Sequence, residues 1–392
     1  MKSIPNCVPQ VAGNEIKYLK ECIDTGWISP VGPFVDRLEK VFADYHGFKT
    51  ATAVSSGTAA IHLGLISLGV KPGDLVLCPT INFIGSVNPI RYCGAEPVFL
   101  GVDPKTLNID TDCLLNFLQK ETVIKDGNPV YKVTGQRIAA LIVVQLYGNP
   151  ADMDEIIDLA LEYKFPVLED AAESLGARYK GKLTGTIGNV GCFSFNGNKV
   201  ITSGGGGMVI SKDEEITKHC KHLSTQAKVD SFEFKFDNVG YNYRLSNLCA
   251  AVGLAQFEHL DEFIQKKREH ADAYRKMFKK DGIWEIIDPP EGCYGTYWMV
   301  LVRINEKGSK SLINELRLLS QEGLGVRPIW YPIHMLPLYK DSIYYGVDNY
   351  EELYHSVICL PSSVGLTNDE IEHVVEELNN IDNKSNEKLC VK

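Results

Sequence analysis

Residues 138–145 (IAALIVVQ) constrain the fold more than any other stretch. A nearly continuous apolar run of strand length has no polar face, so it fits a strand buried on both sides. Such a strand needs helices above and below it, and the neighbouring sequence supplies them. Residues 58–68 read as an apolar-rich helix, and 75–78 as a short buried strand closed by Pro79. A helix over 86–92 and a strand over 97–100 follow, the latter ending near Asp103-Pro104. Beyond the apolar run come a helix over 152–163 and a strand over 166–168. This alternation predicts an α/β fold with a mainly parallel sheet covered by helices.

The pattern changes near Asn247, where a stretch rich in Glu, Lys and Arg reads as one long helix over 248–280. At roughly 100–200 residues per domain, a chain of 392 residues fits two domains. The boundary falls in that helix: a large domain over 1–255 and a smaller α+β domain over 256–392. The smaller one holds a strand over 297–304, helices over 311–322 and 367–378, and a polar, frayed tail from Asn383. Residues 120–137 are less periodic and read equally as a hairpin or a surface excursion.

Charge narrows the partners. The net charge is −10 with no long basic run, which argues against nucleic acid or an anionic membrane, since both need clustered Lys and Arg. The N-terminal MKSIPNCVPQ lacks the apolar core of a secretory signal, and no apolar run reaches the ~18 residues of a membrane span. The 11 cysteines are scattered without a CxxC pair; they read as reduced thiols, which places the chain in the cytoplasm. His219 and His222 share a helix with no third ligand nearby, so they read as surface residues and no metal is expected.

Four segments bear on chemistry. Ser55-Ser56-Gly57-Thr58-Ala59-Ala60 opens an apolar helix with free N–H groups and hydroxyls, which suits either a plain N-cap or a phosphate. Leu168-Glu169-Asp170-Ala171-Ala172-Glu173 puts acids at the carboxyl end of a buried strand, where open α/β sheets bind ligands; Asp170 reads as a helix cap or as an acid facing a ring nitrogen. Phe193-Ser194-Phe195-Asn196-Gly197-Asn198-Lys199 runs into Gly204–Gly207, four glycines that allow close backbone approach. A lone lysine is ordinarily a surface residue, but a confined setting also suits a nucleophilic amine. Gly240-Tyr241-Asn242-Tyr243-Arg244-Leu245-Ser246-Asn247 is by itself an aromatic loop with an N-cap.

Taken in order, SSGTAA, EDAAES, FSFNGNK…GGGGMV and GYNYRLSN resemble the DegT/DnrJ/EryC1/StrS family of nucleotide-sugar aminotransferases. TGWISPVGPFVDRLEKVFADYHG, PTINFIGSVNPIRYCGAEPVF and RPIWYPIHMLPLYKD extend the likeness over nearly the whole chain. The resemblance implies a fold type I pyridoxal 5'-phosphate (PLP) aminotransferase: a large domain with a mainly parallel seven-stranded-type sheet, a smaller C-terminal domain, and a homodimer with shared active sites. It makes Lys199 the lysine that carries PLP as a Schiff base, and Asp170 the acid on the pyridine nitrogen. Glu173 stands where the family often has Gln, beside the ring hydroxyl. Ser56, Gly57, Thr58 and Ser194 match phosphate ligands, Asn242 a ligand to the other subunit's phosphate, and Phe83 the aromatic stacked on the ring. Trp27, Ser29, Arg327 and His334 fall in segments near the sugar-nucleotide substrate.

The same resemblance implies amino transfer from L-glutamate to a keto sugar in two half-reactions. Some relatives are sugar dehydratases with His at the lysine position, so Lys199 favours amination. The wording of SFNGNK, TGWIS and RPIWYPIHMLPLYKD points to amination at C4 of a 4-keto-6-deoxy hexose. It most resembles enzymes of bacillosamine and legionaminic acid biosynthesis that use UDP-2-acetamido sugars, serving surface glycans such as lipopolysaccharide. GDP-perosamine-type enzymes, C3-aminating enzymes, an inosose aminotransferase and a catalytically silent PLP-fold sensor are the alternatives; the last is expected to have lost Lys199, Asp170 or the phosphate turn.

Overall fold

A computed structural model describes residues 3–279, 282–305, 313–348 and 350–390. Its centre is an eight-stranded sheet: β1 (Ala51–Val54), β2 (Leu75–Pro79), β3 (Glu96–Leu100), β4 (Ile138–Val144), β5 (Val167–Asp170), β6 (Val190–Ser194), β7 (Gly207–Ile210) and β8 (Ile343–Tyr345). The spatial order is β1-β7-β6-β5-β4-β2-β3-β8. Strands β6 through β8 along that order pair in parallel, and only β7 runs antiparallel to its neighbours. The mainly parallel sheet expected from the sequence is therefore present, with β8 added at its edge from the C-terminal third of the chain.

Strand β4 shows why the apolar run belongs at the centre. All seven of its residues are buried. Ala140, Ile142 and Val144 join one hydrophobic layer, while Leu141 and Val143 join the layer on the opposite face. The period-two alternation of a strand thus feeds two cores at once. Register then fixes one edge of the sheet: Val144 pairs with Asp170, Asp170 with Cys192, and Ser194 with Gly207. The carboxyl ends of β4, β5 and β6 share that edge with the start of β7.

The C-terminal part packs strands Trp284–Ile286, Val300–Ile304, Val357–Leu360 and Arg327–Pro328 in a four-stranded antiparallel sheet. Val300, Val302, Ile358 and Leu360 share a core with Val374 and Leu378 of the helix Asn368–Cys390. Residues near the N-terminus reach this part too: Ile4 bridges to Leu324 and is buried there.

Several boundaries differ from expectation. The stretch 248–280 forms two helices, Asn247–Phe257 and Leu260–Met277. The break is tertiary: Glu258 accepts hydrogen bonds from Asn14 Nδ2 (2.7 Å) and Tyr18 Oη (2.6 Å), which hold the turn against the helix Glu15–Thr25. The strand expected from 297 starts at Val300, because Tyr297 adopts φ 47°. The helix expected from 311 is Ile313–Gln321; 311 and 312 lie outside the described residues. The last helix continues to Cys390, so residues 383–390 are helical; 391 and 392 lie outside the described residues. Residues 120–137 contain a hairpin of Thr122–Lys125 and Asn128–Tyr131.

Candidate active site

The edge where β4, β5 and β6 end opens on a cavity of about 280 Å³. One end is an anion cradle. Ser56 caps the helix Gly57–Ser67, its Oγ accepting from Ala59 N at 3.0 Å, so the bland N-cap reading holds for this side chain. Gly57, Thr58 and Ser194 line the same end. The cradle is locked by glycine contacts. A Cβ on Gly57 would lie 2.8 Å from Ser194 Cβ, and one on Gly207 2.6 Å from the Ser56 carbonyl. Gly207 therefore lets β7 pass against the Ser56 turn, whereas Gly205 has open space around its Cα. Hydroxyls and N–H groups at a helix start favour a bound dianion.

The other end holds two acids and an amine. Asp170 ends β5 and is buried; Oδ2 accepts from Ser86 Oγ at 2.5 Å and Oδ1 from Ala172 N at 3.0 Å. Burial pushes its carboxyl up from the ordinary range, against the pull of those donors and of the Lys199 charge. No ion pair reaches Asp170 among the described residues. Turns follow the strand here, not a helix, so Asp170 caps no helix. Glu173 Oε1 lies 3.5 Å from Lys199 Nζ, and Oε2 accepts from Tyr147 N at 2.8 Å. Burial raises Glu173 too, opposed first by the Lys199 charge.

Lys199 sits on a loop closed by Phe195 N to Gly206 O (2.8 Å) and Ser203 N to Phe195 O (3.0 Å). Its side chain is only 11% exposed, which removes it from the class of surface lysines. Its Nζ lies over the Trp298 ring, 3.9 Å from the centroid. Phe83, half exposed, stands at the mouth with its ring 5.1 Å from that of Trp330.

The structure thus brings Ser56, Gly57, Thr58, Phe83, Asp170, Glu173, Ser194 and Lys199 to one cavity. Five other candidates lie outside its lining. Asn242 is exposed, bridged to Thr225. Trp27 and Ser29 occupy a loop whose carbonyls accept from Asn247, Trp27 O from Nδ2 at 2.7 Å and Ser29 O from the backbone N at 2.8 Å. Arg327 is exposed on the C-terminal sheet. His334 Nδ1 is 2.5 Å from Thr80 Oγ1 and faces a separate depression with Tyr350 and His355; burial lowers its pKa. Sequence reasoning missed Ser86, Trp298 and Trp330. Ser86 and Trp330 carried a signal, inside the segments PTINFIGSVNPIRYCGAEPVF and RPIWYPIHMLPLYKD, whereas Trp298 carried none. Among the described residues no cluster of three or more His, Cys, Asp or Glu could hold a metal ion, and no helix is long and apolar enough to cross a membrane.

Comparison with known proteins identifies the family of this chain. The model of the DegT/DnrJ/EryC1/StrS aminotransferase family matches residues 9–379. The GDP-perosamine synthase of Escherichia coli O157:H7 is 38% identical, over 97% of this chain and 98% of its own. EpsN of Bacillus subtilis (strain 168), named as a pyridoxal phosphate-dependent aminotransferase, is 40% identical over 94% and 93%. The crystal structure of the aminotransferase TlmJ from Streptoalloteichus hindustanus superposes with a TM-score of 0.86 at 27% identity, over 96% of this chain and 98% of that one. The chain therefore belongs to the DegT/DnrJ/EryC1/StrS aminotransferase family, and it is a pyridoxal-phosphate-dependent aminotransferase.

Proposed function

We propose that this enzyme moves an amino group from L-glutamate to C4 of a nucleoside-diphosphate-linked 4-keto-6-deoxy hexose, making an amino sugar for a surface glycan. The observation that carries the cofactor reading is one cavity with an anion cradle at one end and Asp170, Glu173 and Lys199 at the other. The cofactor fits these residues: its phosphate has a cradle, and a protonated ring nitrogen supplies the cation that buried Asp170 lacks. Bound pyridoxal phosphate supplies an electron sink for negative charge developing beside an amine nitrogen.

The chain's own groups do the rest. Ser56, Gly57, Thr58 and Ser194 would hold the phosphate and Phe83 would pack on the ring. Asp170 would keep a ring nitrogen protonated, and Glu173 would serve the ring hydroxyl. Lys199 would hold the cofactor covalently; its amine, when free, would serve as the base at the glutamate Cα and, once protonated, as the acid at C4 of the sugar. Trp27, Ser29, Arg327 and His334 are the candidates for holding the sugar nucleotide. Asn242, exposed on one chain, reaches the phosphate held by a second in a homodimer. The large unit spans 1–255 and the smaller one 256–392.

Two nucleotides compete. The wording of the motifs favours a UDP-2-acetamido sugar of the bacillosamine or legionaminic acid type. The 38% identical relative named GDP-perosamine synthase supports a GDP sugar. Running the reaction backwards separates them: enzyme and 2-oxoglutarate are incubated with UDP-, GDP- and dTDP-linked amino sugars, and glutamate is measured beside a Lys199→Ala control. Glutamate should form from a 4-amino sugar on one of the first two carriers, with the control silent and without a visible cofactor band. A response confined to 3-amino sugars would overturn C4, and a fully active control would overturn Lys199.

A further inference from the structure

We propose that Trp298 is a positioning residue for Lys199, fixing where its amine stands once the donor has displaced it. This inference rests on the reading of Lys199 as the cofactor-bearing lysine. Trp298 holds the lysine from two directions. Its ring face lies under Nζ at 3.9 Å, and its Nε1 donates to the carbonyl of Asn198, the residue before Lys199, at 2.6 Å. One side chain thus grips both the backbone of the loop and the tip of the lysine it carries. A ring face under an ammonium group favours that placement, and a fully buried indole cannot swing away from it.

Trp298 is in turn held rigidly. Its ring stacks on Tyr147 (6.0 Å, 15°), and Tyr147 stacks on Trp330 (5.9 Å, 12°). Tyr147 N donates to Glu173, whose Oε1 lies 3.5 Å from Lys199 Nζ. Tyr147 therefore contacts both neighbours of the amine, Trp298 through its ring and Glu173 through its backbone N–H. Gly148 permits the approach: at φ 93° its absent Cβ would sit 2.4 Å from Thr296 Oγ1 and 3.0 Å from Trp298 N. From beneath, the buried Lys267 ammonium donates to Trp298 O at 3.2 Å and Ser362 O at 2.5 Å. Proton transfer depends on near-contact geometry, so a residue that fixes the amine acts on that step more than on binding.

The test uses cofactor-free wild type, Trp298→Phe, which keeps a ring face but loses the N–H, and Trp298→Leu, which loses both. Two binding measurements separate position from collapse. Pyridoxine 5'-phosphate has no aldehyde and reports the cavity alone, whereas capture of pyridoxal phosphate, read from its visible band, needs the lysine in place. Trp298→Leu should capture about tenfold more slowly while binding pyridoxine phosphate within about twofold of wild type. Trp298→Phe should fall between them. With Cα-deuterated glutamate, the isotope effect on the donor half-reaction should rise in the order wild type, Phe, Leu, while the glutamate KM stays nearly constant. Capture at the wild-type rate in both variants would overturn the proposal, as would a parallel loss of analogue binding and capture. If Trp298→Leu does not fold, Trp298→Phe decides, since capture and isotope effect equal to wild type refute the proposal. A wild-type protein forming no visible band would instead refute the reading of Lys199.

Discussion

Asp170 and Lys199 line one cavity, and burial gives Asp170 a consequence for stability. Its carboxyl is raised by burial in the cofactor-free protein, so the folded chain keeps a proton that the unfolded chain releases at the ordinary carboxylate pKa. The stability contributed this way is complete below that value and is lost as pH rises through the folded one. Asp170→Asn cannot ionise. Its melting temperature relative to wild type, measured without cofactor, should therefore improve as pH rises above the ordinary carboxylate range. Its hold on pyridoxal phosphate should fall at least tenfold at every pH, since the neutral amide no longer pairs with a ring cation. A Tm difference independent of pH would show that burial of this carboxylate costs nothing. Trp298 was illegible for a plain reason: it reaches the site through a contact distant in sequence, to a carbonyl 100 positions away. It sits in no pattern that separates it from an ordinary core residue, whereas Ser86 lies in the segment PTINFIGSVNPIRYCGAEPVF.

Among the elements, those whose patterns are local were legible and those set by tertiary contact were not. The buried strands and the helix Gly57–Ser67 follow from apolar runs, and even the hairpin at 122–131 had its signal. Asp126 and Gly127 sit at its turn with φ 51° and 78°, the left-handed pair that an Asp-Gly turn supplies. The break at Glu258 had none, having neither Gly nor Pro, because Asn14 and Tyr18 impose it from another helix. The glycine run predicts close backbone approach, and at Gly207 what approaches is the Ser56 turn. A methyl group at 207 would press on Ser56 and Phe193 backbone atoms at 2.6–2.7 Å, which no rotamer can relieve. Gly207→Ala should therefore cost about 1–3 kcal/mol of stability and weaken inorganic phosphate binding to the cradle. Gly205→Ala, with nothing within 4 Å, should stay within about 0.5 kcal/mol of wild type. Urea unfolding and phosphate titration of the pair provide the check, and equal effects at 205 and 207 would remove the packing explanation.

The whole molecule raises the question of what a single chain leaves unfinished. Phe232 (92% exposed), Phe234 (67%), Phe236 (52%) and Val239 (78%) lie in water just before Asn242. Trp27, Ile28 and Val31 add exposed apolar surface elsewhere, in the loop carrying two substrate candidates. Apolar groups concentrated on such segments are what a protein contact would cover, in keeping with the homodimer proposed above. If Asn242 of one chain completes the phosphate site of the other, the two half-sites can be damaged separately. Lys199→Ala and Asn242→Ala homodimers should each be impaired, the first abolished and the second weakened in cofactor retention. Mixed under conditions that allow subunits to exchange, half the dimers are hybrids. Each hybrid pairs an intact lysine from one chain with an intact asparagine from the other at one site, and loses both at its second site. Activity should then recover to roughly a quarter of wild type, and differently tagged chains should co-purify. Exchange without recovery would mean that Asn242 serves its own chain's cavity. An Asn242→Ala homodimer retaining cofactor as wild type does would mean that Asn242 serves neither.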